Sequence, residues 1–102
     1  GIFLPMCQEA AVAVLAVTRI GAVYTPCFSG YGAHAVAARL AGCDAKVLIT
    51  ADAFARRGGA IPMKRTADEA VANCPSVGHV IVHRRTGAEI PRAVVEDAAG
   101  FA

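Results

Sequence analysis

What most limits the folds open to this chain is how its apolar residues are parcelled. Short apolar runs, each about one strand long, alternate with longer segments at helical spacing. Gly1-Ile2-Phe3-Leu4 is a continuous apolar run closed by Pro5, and residues 8–20 are Ala-rich and long enough for a helix that Gly21 stops. Residues 22–27 read as the next strand, 32–40 as a second helix ending at Gly42, and Lys46-Val47-Leu48-Ile49-Thr50 as a compact buried strand. Residues 51–61, with Gly58-Gly59, read as a loop, after which Pro62 takes a first-turn position that tolerates proline. In the third helix Met63, Ala67, Ala70, Val71 and Cys74 share one face, and Lys64, Arg65, Asp68, Glu69 and Asn73 are expected on the solvent side. Pro75 ends that helix, and His79-Val80-Ile81-Val82-His83 is the fourth strand.

Four apolar strands separated by helices predict an α/β fold of three layers, α/β/α. The sheet is expected to be mostly parallel, built from right-handed crossovers, with a Rossmann- or flavodoxin-like strand order of 2-1-3-4. Residues 1–87 carry this pattern. Residues 88–102 hold no firm period and are expected to be irregular or weakly helical.

With 102 residues there is room for one domain. Hydrophobic residues make up 56% and charged residues 18%, more apolar than a free-standing domain of this size needs. Apart from Gln8, Glu9, Thr18 and Arg19, the segment 8–20 is apolar all round, as in a helix covered on more than one side. Together with an opening midway into a strand-like run, this predicts a fragment of a larger domain.

A net charge of +2 is too mild for nucleic acid, which is bound through dense basic stripes and stacking aromatics; aromatics here are 6%, with no Trp. The apolar run 10–17 lacks a basic lead-in and is far short of the ~20 residues that span a bilayer, so neither a targeting nor a membrane segment is expected. Cys7, Cys27, Cys43 and Cys74 have neither zinc-site spacing nor disulfide-scaffold density, and read as buried free thiols in a reducing cytoplasm. His34, His79 and His83 read as structural or solvent-facing: two four apart on a strand share a face but stand too far apart for one metal.

Two loops could carry chemistry. Gly30-Tyr31-Gly32-Ala33-His34-Ala35 fits a dinucleotide fingerprint, in which glycines let backbone N–H groups approach a pyrophosphate at a helix N-terminus and Asp52 would accept from a ribose hydroxyl of NAD. Pro26 inside the preceding strand and the longer turn through Phe28-Ser29 weigh against it. Asp52 also stands where a receiver domain carries its phosphoacceptor, but that chemistry needs carboxylates for Mg²⁺ after the first strand, and Pro5-Met6-Cys7 occupies that place. A turn-capping aspartate is the plainer reading. In Arg56-Arg57-Gly58-Gly59 two guanidiniums beside flexible backbone could grip phosphate bidentately, or stand as a solvated pair on a loop.

The ordered segments Gly1-Ile2-Phe3-Leu4-Pro5-Met6, Arg19-Ile20-Gly21-Ala22-Val23, Ala45-Lys46-Val47-Leu48-Ile49-Thr50-Ala51-Asp52, Ile61-Pro62-Met63-Lys64, His79-Val80-Ile81-Val82 and Arg85-Thr86-Gly87 resemble the acetyl-CoA and propionyl-CoA synthetases of the acyl-adenylate-forming superfamily. The resemblance implies a piece of the large N-terminal domain of an enzyme that joins ATP and a short carboxylic acid into an acyl-adenylate, then passes the acyl group to CoA, with Mg²⁺ as a family requirement. It implies that the CoA-binding loops Phe28, Ser29, Gly30 and Arg56, Arg57, Gly58, Gly59 lie along the CoA nucleotide path, with Phe28 and Gly30 near the adenine end and Arg56 gripping a phosphate. Ser29 stands where glycine is usual and Gly59 where a second arginine is usual, leaving Arg57 open as the replacement. The phosphate loop, acid pocket, adenosine motif, hinge and lid lysine of such enzymes are not among these residues, so the chain alone is expected to be inactive and to work with the remainder of the synthetase. A self-contained dinucleotide module using Gly30, Gly32 and Asp52, or a ligand-free interaction domain, are the alternatives.

Overall fold

The computed structural model describes residues 1–56 and 59–85; the expected tail 88–102 lies outside the described residues. The elements run β1 (Ile2–Phe3), α1 (Gln8–Arg19), α2 (Ala33–Gly42), β2 (Val47–Ala51), β3 (Phe54–Arg56), β4 (Gly59–Ile61), α3 (Met63–Ala72) and β5 (His79–His83).

A parallel sheet of order β1-β2-β5 forms the frame, with Ile2 opposite Ile49 and Leu48 opposite Val80. On the free side of β1, Ile2 bridges Pro26 in parallel: the Ile2 N–H donates to Thr25 O at 3.0 Å and the Cys27 N–H to Ile2 O at 2.8 Å. The expected order is therefore present, but the second of four expected strands has shrunk to one bridge. Pro26 offers no N–H and can be tolerated only at such an edge, so a ladder cannot extend through it.

Side-chain alternation assigns the layers. Leu48, Thr50, Val80 and Val82 are buried on one face, where α2 and α3 pack through Val36, Leu40, Met63, Ala67 and Ala70. Ile49 and Ile81 face the other way and share an apolar cavity of about 540 Å³ with Val17 of α1 and Ile20 just after it. Helices thus cover both faces, as the alternating pattern predicts. Among the described residues no helix is long and apolar enough to cross a membrane.

Gly21 stops α1 as expected. It takes φ +78, its N–H donates to Thr18 O and the Ala22 N–H to Val17 O, each at 3.1 Å, which satisfies two end carbonyls in a Schellman motif. Helix α2 ends at Gly42 as expected, and the left-handed residue that follows it is Asp44, φ 53.

Three further expectations need correction. The segment read as a loop from 51 to 61 contains an antiparallel hairpin, β3–β4, with Phe54 opposite Ile61 and Arg56 opposite Gly59. Phe54 is buried, which anchors the hairpin where a plain loop would swing free. Lys64, placed on the solvent face of α3, is instead 1% exposed, because the first turn of α3 packs beside the strand ends and Asp68 supplies a counter-charge within the helix. Of the four free cysteines Cys27 and Cys74 are buried, while Cys7 is half-buried and Cys43 is exposed at the end of α2.

Candidate functional site

Both loops singled out in the sequence leave the C-terminal edge of the parallel sheet. In α/β folds that edge collects ligands, since helix N-termini and strand-end loops converge there. The 540 Å³ cavity lies at the opposite edge, against Gly1 and Lys46-Val47 where the strands begin, and is lined mainly by aliphatic side chains.

The first loop follows the Pro26 bridge. A turn closes from the Tyr31 N–H to Phe28 O at 2.9 Å, with Ser29 and Gly30 at its centre, and Gly32 becomes the N-cap of α2 without a side-chain cap. Phe28 is 65% exposed. Its ring meets Tyr31 edge-on, centroids 5.8 Å apart, and the Arg39 guanidinium lies 5.7 Å from the Tyr31 centroid while donating to Tyr31 Oη at 3.1 Å. An exposed aromatic face thus stands on a supported platform. The Tyr31–Arg39 support was not read from the sequence; their spacing of eight across a loop and two helical turns gives no periodic signal.

The second loop is the β3–β4 hairpin. Arg56 ends β3 and pairs with Gly59 at the start of β4, and Arg57 and Gly58 lie outside the described residues. Across the sheet, the Pro26 segment and β2 are separated by β1 alone, so the two loops spring from points about 10 Å apart, two strand spacings.

Asp52 sits between β2 and the hairpin and is 2% exposed. Its Oδ1 accepts from the Ala53 N–H at 2.7 Å and the Arg85 N–H at 3.0 Å. That corrects its dinucleotide role with Gly30 and Gly32: a carboxylate buried on main-chain donors is not presented to a ribose in solution. The plainer turn-capping reading is the one realised.

A second polar cluster at this edge joins α1 to β5. His83 Nε2 lies 3.5 Å from Glu9 Oε1. The Glu9 carboxyl is held below its usual range first by a hydrogen bond with its own backbone, then by His83, the Cys7 thiol and Arg85. Burial pushes the Cys27 and Cys74 thiols up, so neither is a ready nucleophile. Among the described residues no group of three or more His, Cys, Asp or Glu gathers to hold a metal ion.

Comparison with known proteins bears on this geometry. The chain is 50% identical over 90 residues to the acetyl-coenzyme A synthetase of Syntrophus aciditrophicus and 46% identical over 93 residues to the 3-hydroxypropionyl-coenzyme A synthetase of Sulfurisphaera tokodaii, covering 88% of this chain in each case. It spans 14% of the length of each of these relatives. The acetoacetyl-CoA synthetase structure from Streptomyces lividans superposes with a TM-score of 0.74 at 27% identity, over 93% of this chain and 15% of that one. The family described as AMP-binding enzyme matches residues 1–99. With the match running through the sheet, both loops and the helices that carry them, the chain belongs to the AMP-binding enzyme family.

Proposed function

We propose that this chain is a section of a short-chain acyl-CoA synthetase, an ATP-dependent acid–thiol ligase, and that it contributes part of the CoA-binding surface. In such a reaction the carboxylate attacks the α-phosphorus of ATP and expels pyrophosphate. The CoA thiol then attacks the acyl carbonyl of the adenylate and AMP leaves. Three related proteins are named for acetyl, 3-hydroxypropionyl and acetoacetyl products, which supports a small carboxylic acid such as acetate or propionate as substrate. A cytoplasmic setting, where ATP and CoA are both at hand, fits this reading.

One observation carries the local role: the Phe28 turn and the Arg56–Gly59 hairpin leave the same sheet edge about 10 Å apart, the scale of a nucleotide. Phe28, Ser29 and Gly30 pack against the adenine end. Arg56 grips a phosphate, with Arg57, Gly58 and Gly59 completing that loop; guanidinium suits phosphate because it can donate two parallel N–H bonds. Catalytic groups come from the remainder of the synthetase, and this section alone is inactive.

The test is Arg56→Ala in the full-length protein. Loss of one phosphate contact raises the KM for CoA about tenfold, the equivalent of about 1.4 kcal/mol. ATP–pyrophosphate exchange, which needs no CoA, separates that effect from damage to adenylate formation. An unchanged KM for CoA defeats the assignment.

A further inference from the structure

The hairpin that carries Arg56 is an excursion from the sheet, and one residue holds both of its ends. At the departure, Asp52 Oδ1 accepts from the Ala53 N–H at 2.7 Å and ties it to the end of β5 through the Arg85 N–H at 3.0 Å. The Asp52 N–H itself donates to His83 O at 3.2 Å. At the return, Asp52 O accepts from the Lys64 N–H, also at 3.2 Å. That N–H belongs to the first turn of α3, which lacks intrahelical partners, and Pro62 at the N-cap supplies no side-chain cap.

We propose that Asp52 is the positioning residue of the β3–β4 hairpin, fixing the direction in which Arg56 leaves the sheet edge. The inference rests on the proposed function insofar as Arg56 meets a CoA phosphate. Phe54 and Met63, 8% and 0% exposed, anchor the hairpin's flanks in the core, and the main-chain bonds of Asp52 to His83 and Lys64 persist in any variant, so loss of the two Asp52 side-chain bonds loosens the hairpin's departure without detaching it. A carboxylate holding two main-chain N–H groups is stronger than a neutral acceptor, and a carboxamide retains one oxygen of the same shape.

The experiment uses the full-length protein with Asp52→Ala, Asp52→Asn and Arg85→Pro, the last removing one main-chain donor while leaving Asp52 in place. Asp52→Ala is expected to raise the KM for CoA about tenfold relative to the KM for ATP. Asp52→Asn recovers most of that loss, and Arg85→Pro moves in the same direction as Asp52→Ala but less. Parallel changes in both KM values, no change in either, or failure of all three variants to fold would overturn the inference. An Arg56→Ala protein with an unchanged KM for CoA defeats the proposed function; a weakened Arg56→Ala protein beside unshifted Asp52 variants defeats this inference alone.

Discussion

Lys64 Nζ stands 2.7 Å from Asp68 Oδ1, one turn further along α3, with the lysine side chain 1% exposed and the aspartate 17%. The second oxygen, Asp68 Oδ2, is buried with no hydrogen-bond partner among the described residues. On a solvated helix a lysine N-terminal to its acid is the weaker orientation and adds only tenths of a kcal/mol. Burial changes the magnitude, because removing the lysine leaves a carboxylate in the interior.

Lys64→Ala is therefore expected to cost about 3–5 kcal/mol in urea unfolding. The double variant Lys64→Ala with Asp68→Ala should cost clearly less than the two single costs added. Strict additivity would show that the pair is not coupled.

How much of this was legible in the sequence depends on which forces act locally. Gly21, the face of α3 through Met63, Ala67 and Ala70, and the β2 and β5 runs were all readable because periodicity and turn chemistry are short-range. Pro26 is a visible strand breaker, yet its consequence, a strand reduced to one bridge, depends on which edge the segment occupies. The β3–β4 hairpin hid behind Arg57-Gly58, since three-residue strands carry too few alternations to separate from a loop. Lys64 misled for the opposite reason: the amphipathic pattern of α3 puts it outward, and only the packing of the first turn against the strand ends turns it in. At the site, the Phe28 and Arg56 loops could be singled out by residue type and resemblance, whereas the Asp52 bonds to Arg85 and Lys64 join residues far apart in sequence and leave no local trace.

Glu9 sets a pH dependence. Its carboxyl lies below its ordinary value of 4.5, chiefly through its own backbone hydrogen bond and then through His83, Cys7 and Arg85. A group whose folded value is depressed contributes stability that is fully present above its unfolded value and is lost as pH falls through the folded one. Stability of the native chain should therefore fall, as pH drops below the ordinary Glu9 value of 4.5, more steeply than that of Glu9→Gln, which has no proton to take up there. Denaturant midpoints across that range decide it; parallel curves would show that the Glu9 contacts do not distinguish folded from unfolded chain.

The outer face of α1 is expected to govern self-association of this chain. Val12 and Leu15 are 63% and 69% exposed and three residues apart, so they sit side by side, while Ala13 is the buried residue of that helix. Met6, Ile20 and Val23 are also exposed, at 98%, 79% and 93%, so apolar surface continues beyond both ends of the helix. Contiguous apolar patches of this kind promote self-association. Val12→Glu with Leu15→Lys replaces side chains that contribute little to the core, and such surface changes usually stay within about 0.5 kcal/mol in stability. It also sets an acid three residues before a base on one face, which supports the helix. Light scattering at matched concentration should show the native chain associating and the double variant shifted toward the 10.4 kDa monomer, with an unchanged denaturant midpoint. Equal association of the two would move the sticky surface away from α1, and a large drop in midpoint would mean that these two side chains hold the fold.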